Sequence, residues 1–146
     1  MTRRILHPSD FSAASNAAFK KAIDMAKLSR AQLLVAHVIS PIVPVPGDGY
    51  VSPKVYDDLA ASTRTSARRQ LDKLMSKAKK SGVRATGFLL DGVTHDQIVR
   101  FAKSRRVDLV VMGTHGRSGF AKLFLGSVAG RVVAAAPCPV LTVKGR

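Results

Sequence analysis

The chain has one cysteine, Cys138, no glutamate, and aromatic side chains at only 5% of its positions. A single cysteine rules out an intramolecular disulfide and any CxxC metal or redox centre, so the thiol reads as a small buried side chain. Without glutamate, carboxylate chemistry must come from the nine acidic residues, all of them aspartate. The scarcity of aromatics argues against a base-stacking platform, and no RNP, KH or zinc-finger signature is present. Long hydrophobic runs are missing as well. The stretch from Val132 to Leu141 is nearly uncharged but too short to span a bilayer, and it contains two prolines. MTRRIL at the start lacks the apolar core of a signal peptide, so a cytoplasmic protein without a membrane partner is expected. Neither common phosphate fingerprint occurs: there is no GxxxxGK[ST], and no GxGxxG after a strand.

What is present is charge of one sign. The 146 residues carry 24 Lys and Arg against nine acids, a formal net charge of +15, which implies self-repulsion and attraction to polyanions. Much of the charge falls in one predicted helix, where Arg64 and Arg68, Arg69 and Lys73, and Lys73 and Lys77 are like charges at i,i+4, each pair costing about 0.2 to 0.5 kcal/mol. A solvated face and a surface for an anionic partner are both open readings of that helix. Length and 46% apolar residues suit a single domain, 1–146, around one core.

Along the chain, strands and helices alternate. Ile5 and Leu6 lead into His7-Pro8-Ser9-Asp10, where Pro8 marks a strand end and leaves Asp10 at its carboxyl edge. Ser12 is the expected N-cap of a helix with Ala18, Phe19, Ala22, Ile23, Met25 and Ala26 on one stripe, ending near Ser29 or Arg30. Leu33 to Ile39 is a second buried strand. Pro41 to Ser52 is dense in proline and glycine and reads as a loop at the same edge as Asp10. Ser52-Pro53, an N-cap with proline at the first helical position, opens a long helix whose predicted inner face is Tyr56, Leu59, Ala60, Thr63, Ala67, Leu71, Leu74 and Ala78, with Gly82 as its stop. Val83 to Leu90 reads as a third strand, interrupted by Arg84, Thr86 and Gly87 as an edge strand would be. Asp91-Gly92 is a turn, and Thr94-x-x-Gln97 matches a capping box before a helix with Ile98, Phe101 and Ala102 inward. Pro139 to Val143 is a last short β-branched run.

The stretch 107–128 stands out. Val107 to Met112 is apolar without alternation, the pattern of a strand buried on both faces of a parallel sheet. It stops at Gly113, followed by Gly116 and, after nine more residues, Gly126-Ser127. Ser127 and Val128 begin a helical stripe continuing through Ala129, Val132, Val133 and Ala136. Glycine permits positive φ or close approach of a ligand to main-chain N–H groups, and a helix start beside it makes an anion site. His115, Arg117 and Lys122 supply cations within reach of such an anion. Strand-helix alternation throughout points to right-handed βαβ units in an open, doubly wound, five-stranded parallel sheet, Rossmann-like, with helices on both faces.

Gly113-x2-Gly116-x9-Gly126-Ser127 resembles the G-x2-G-x9-G-(S/T) nucleotide motif of the ATP-binding universal stress proteins, and ILHPSDFS, LLVAHV, DLVVMGTHG and APCPVLTV follow in that family's order. The resemblance implies strand order 3-2-1-4-5, which sets Asp10 and Gly113 across the topological switch point. It also implies that Asp10 contacts the nucleotide, that Pro8 and Ser9 line the same cleft, and that the main chain of Val38 pairs with the adenine edge. Met112 would flank the base or ribose. With Gly113, His115, Gly116, Arg117, Gly126, Ser127 and Val128 these make up the expected nucleotide site, with ATP as ligand and Mg²⁺ or Mn²⁺ held mostly by its phosphates. The function implied is a nucleotide-dependent regulatory module in stress response, acting as a homodimer joined through Pro139 to Val143. Two other classes stay open: a slow ATP hydrolase using the same cleft, and a basic nucleic-acid-binding protein. A zinc site on His7, His37 and His115 would need three or four ligands in tetrahedral geometry, and the first two are expected instead to face the interior or backbone carbonyls.

Overall fold

The computed structural model describes residues 1–42, 49, 51–115 and 125–145. Nine elements alternate: β1 (Arg4–Pro8), α1 (Ala13–Ser29), β2 (Gln32–Ile39), α2 (Pro53–Lys80), β3 (Ala85–Asp91), α3 (Thr94–Ser104), β4 (Leu109–Gly113), α4 (Ser127–Ala135) and β5 (Val140–Val143). The strands form one parallel sheet in the order β3-β2-β1-β4-β5, the order expected. Consecutive residues of β1 explain why the inner strands show no alternation. Ile5 packs with Phe19, Ile23, Leu71 and Leu74 on one side of the sheet, whereas Leu6 packs with Ile98, Phe101, Val110 and Val132 on the other. Thus α1 and α2 cover one face and α3 and α4 the opposite one.

Local chemistry accounts for most element ends. The Ser12 hydroxyl accepts from the Ser15 N–H at 3.1 Å and caps α1, while Arg30 closes it in the left-handed region at φ 55°. Ser52 caps α2 ahead of Pro53, and Gly82 follows its end at φ +79°. Gly87 in β3 has a packing reason. A Cβ there would lie 3.0 Å from the fully buried Leu71 of α2, so the missing side chain lets helix and edge strand meet.

Four expectations are corrected. Of the predicted inner face of α2 only Ala67, Leu71, Leu74 and Ala78 are buried; Leu59 is 49% exposed, and Ala60 and Thr63 also face solvent. The 28-residue helix is about 42 Å long, whereas the seven residues of β3 extend about 23 Å. Its first half therefore overhangs the sheet, tethered by Arg64 to Asp91 at 2.6 Å in an exposed ion pair worth at most about 1 kcal/mol. The capping box at Thr94 is displaced. Val93 is the N-cap, with its carbonyl accepting from the Gln97 N–H at 3.0 Å, and the Gln97 side chain folds back over Gly92, whose φ is +138°. Finally, Val133 of α4 is exposed, and Cys138 is half-buried, its thiol pKa raised chiefly by burial.

Arg69, Lys73 and Lys77 are all exposed, and no ion pair among the described residues involves them. Replacing the three by glutamine removes two like-charge i,i+4 contacts and is expected to stabilise the fold by about 0.5 to 1 kcal/mol. A urea midpoint below that of wild type would contradict a purely solvated role.

Candidate functional site

Where β1 and β4 separate, their carboxyl ends and the helices that follow enclose a cavity of about 370 Å³, within the size range of small-ligand sites. Pro8, Ser9, Asp10, Val38, Met112, Gly113, His115, Gly126, Ser127 and Val128 all line it. These are the sequence-predicted site residues that lie within the described part of the chain; Gly116, Arg117 and Lys122 lie outside it.

The floor is the β1–α1 turn. Ser9 is buried, and its hydroxyl accepts from the Phe11 N–H and the Ser15 hydroxyl, both at 3.1 Å. The Asp10 carboxylate accepts from the Ser12 N–H at 2.9 Å, an Asx-type turn that fixes the carboxyl at the mouth of the cavity. Phe11 adopts φ 65°, a left-handed conformation rare for a bulky residue and costing on the order of 1 to 3 kcal/mol. It is held there by stacking on His37, with ring centroids 4.4 Å apart, while His37 Nδ1 donates to the Ser9 carbonyl at 2.7 Å.

The opposite wall is the start of α4. Its N-cap is Gly126, and intrahelical bonding begins only with Gly130 N–H donating to the Gly126 carbonyl at 2.9 Å. The N–H groups of Ser127, Val128 and Ala129 precede that bond, and all three residues line the cavity, so the positive end of the helix faces it. Gly126 has φ −65° and ψ 165°, so it is not required for a left-handed backbone. It lines the cavity wall without a side chain.

His7 is fully buried, with Nδ1 donating to the Val111 carbonyl at 2.8 Å and Nε2 without a hydrogen-bond partner among the described residues. Burial pushes its pKa down to about 4, against the smaller upward pulls of the Val111 carbonyl and the Asp10 charge. Among the described residues no cluster of three or more His, Cys or Asp could hold a metal ion. Asp10 is a carboxylate at the cavity that could complete the shell of a phosphate-bound Mg²⁺, which takes one or two carboxylates at most.

The residues that sequence reasoning missed are Ser15, Ala36, His37, Thr94, Ile98 and Ala129. Thr94 and Ile98 stand at i,i+4 on α3 and reach the cavity because α3 packs beside α4. No local signal marks them.

The universal stress protein family model matches residues 1–144. With the fold and cleft just described, the chain belongs to that family. Universal stress protein MJ0531 of Methanocaldococcus jannaschii is 36% identical over 144 residues, covering 97% of this chain and 82% of that protein. The solved structure of MJ0577, from the same organism, superposes with a TM-score of 0.86 at 25% identity and covers 100% of this chain and 98% of its own. A universal stress protein in complex with cAMP shares the fold at TM-score 0.74 and 24% identity, covering 98% of this chain and 97% of its own. No described helix is long and apolar enough to cross a membrane.

Proposed function

We propose that the switch-point cavity binds an adenine nucleotide, ATP with Mg²⁺ or Mn²⁺, and that occupancy biases a regulatory conformation or assembly in stress response. The observation that carries this reading is the joint lining of one cavity by the Asp10 turn, the end of β2 at Val38, and the N-terminus of α4. A base edge needs a donor and an acceptor beside an apolar wall. Val38, Met112 and Ile98 all line the cavity, and the main chain of Val38 would supply that combination. Polyphosphate needs N–H donors and positive potential, which the first turn of α4 offers, with His115 at the entrance to the glycine-rich connection. Asp10 would take the metal-bearing side of the phosphates. The resemblance of Gly113-x2-Gly116-x9-Gly126-Ser127 to the family's nucleotide motif supports the same assignment, as does the cAMP complex of a protein with this fold. Mass spectrometry of the purified protein should find a co-purifying adenine nucleotide, and calorimetry should find saturable ATP binding; a cleft that takes up no ATP, ADP or AMP would refute the reading.

The assembly part of the proposal rests on β5, the outer strand beside β4. Val110 N–H donates to the Pro139 carbonyl and Thr114 N–H to the Val143 carbonyl, each at 3.0 Å. Residues 139, 141 and 143 thus turn their polar groups inward, and Val140 and Thr142 present theirs to the free edge. An edge without a charge or proline on it invites pairing, and a two-fold related copy satisfies both strands at once. We therefore expect a homodimer that tightens as salt screens the +15 charge. Thr142→Pro removes an outward donor and should weaken the dimer at least tenfold, whereas Leu141→Pro would break the ladder to β4 and chiefly unfold the edge. Sedimentation at micromolar concentration and physiological salt decides it; a monomeric wild type rules the dimer out.

A further inference from the structure

The doubly wound topology gathers at the amino ends of the strands, opposite the cavity, cations that are scattered in sequence. Leu33 N–H donates to the Arg84 carbonyl at 2.8 Å, Gln32 N–H to the Arg3 carbonyl at 2.9 Å, and Asp108 N–H to the Arg4 carbonyl at 2.9 Å. These bonds join the starts of β3, β2, β1 and β4. Read across the sheet, the edge runs Arg84, Arg30, Arg3 with Arg4, then Arg106, and every one is exposed. Arg105 is fixed between them and the sheet, its guanidinium 4.9 Å from the Phe88 ring and 5.4 Å from that of Phe101, its carbonyl accepting from the Arg4 guanidinium at 2.6 Å. The carboxylate on these connections is Asp108, whose Oδ2 accepts from the main-chain N–H groups of Arg3 and Arg4. No ion pair among the described residues uses a side chain of this row.

A simpler origin would be helix-dipole compensation. It accounts for Lys27, Lys79, Lys80 and Lys103, which sit in last turns. It does not account for Arg3 and Arg84, which precede strands, or for Arg4, which opens β1. We propose that this edge is a docking surface for the phosphate backbone of duplex nucleic acid, bound without regard to sequence. Strands about 4.8 Å apart make a row of about 14 Å from β3 to β4, the length of about four phosphates on one strand at 3.4 Å rise. Guanidinium groups suit phosphate oxygens. Single strands are disfavoured because the rings at this edge, Phe88 and Phe101, lie under Arg105 and offer no stacking platform. A bilayer is disfavoured because Met1 and Leu28, the exposed large apolar side chains close in sequence to Arg3 and Arg30, are two separate side chains and not the continuous apolar face that inserts into an interface.

The test is fluorescence anisotropy of a labelled 20-base-pair duplex DNA of mixed sequence, titrated with the full chain between 50 and 200 mM NaCl. Contact with about four phosphates predicts a log–log salt slope near −3.6, with micromolar affinity at the low-salt end. Arg30→Gln with Arg84→Gln and Arg106→Gln should weaken binding at least tenfold and flatten the slope by about three. The Arg69, Lys73 and Lys77 to Gln variant removes the same charge from the outer face of α2 and should change affinity less than threefold. Equal losses in the two variants would mean attraction by net charge alone and overturn the proposal. So would no binding at 50 mM salt, or tighter binding of the wild type to anionic phosphatidylglycerol vesicles than to DNA. Circular dichroism confirms folding of each variant, and because the edge lies opposite the cavity, ATP titration of the same variants separates this result from the nucleotide assignment.

Discussion

Gly126→Val is expected to fold normally and to bind ATP at least 100-fold more weakly than wild type, a loss of about 2.7 kcal/mol or more. Both halves of that expectation follow from the backbone. At φ −65° and ψ 165° residue 126 sits where a β-branched side chain is comfortable, so the substitution brings no torsional strain. The new methyl groups would instead stand at the cavity wall beside the N–H groups of Ser127 and Val128, where a phosphate has to approach within hydrogen-bond distance. Gly126→Ala should lose less, since one methyl can be partly avoided. Calorimetry with ATP on both variants is the check. An unchanged affinity in folded Gly126→Val would remove the start of α4 from the phosphate site.

A second large effect concerns acid stability. His7 has a folded pKa near 4 against an ordinary 6.5. Between those values the unfolded chain binds a proton that the folded protein refuses, because burial desolvates the charged ring and Nε2 has no acceptor among the described residues. Stability is therefore full above about pH 6.5 and falls as the pH drops toward 4, by about 3 kcal/mol from this residue alone. Asp108 acts lower: its pKa is depressed by the Arg3 and Arg4 N–H groups, so its contribution is lost only below its ordinary 3.8. Urea midpoints for wild type should fall steeply between pH 7 and pH 4, whereas His7→Asn, which keeps a donor toward the Val111 carbonyl but cannot titrate, should show a much flatter profile. Matching slopes for the two proteins would show that another group governs the transition.

The strands and most of the cavity were legible because their determinants are local. Unbroken apolar runs such as LLVAHV specify strands buried on both faces, proline and serine mark the ends, and Asp10, Gly113 and Gly126 sit at strand ends or helix starts that the sequence pattern itself displays. The 3-2-1-4-5 order came from resemblance, since periodicity says nothing about which parallel strands adjoin. What could not be read depends on placement in space. Thr94 and Ile98 enter the cavity only because α3 lies against α4, and nothing in THDQIVRF distinguishes a cavity wall from an ordinary inner face. The apolar spacing of α2 continues through Tyr56 and Leu59, but the sheet ends before the helix does. Gln97 does serve the start of α3, yet it folds over Gly92 and not onto the predicted cap, a shift of one residue that capping patterns do not resolve.

The left-handed Phe11 has a consequence for how tightly a ligand can be held. A turn kept in an unfavourable conformation by the His37 stack, the Ser9 carbonyl and two hydroxyl contacts has few alternatives once the chain is folded. The conformational entropy of Ser9, Asp10 and Phe11 is therefore lost during folding and not during association, and a ligand arriving at that floor meets donors and acceptors already in position.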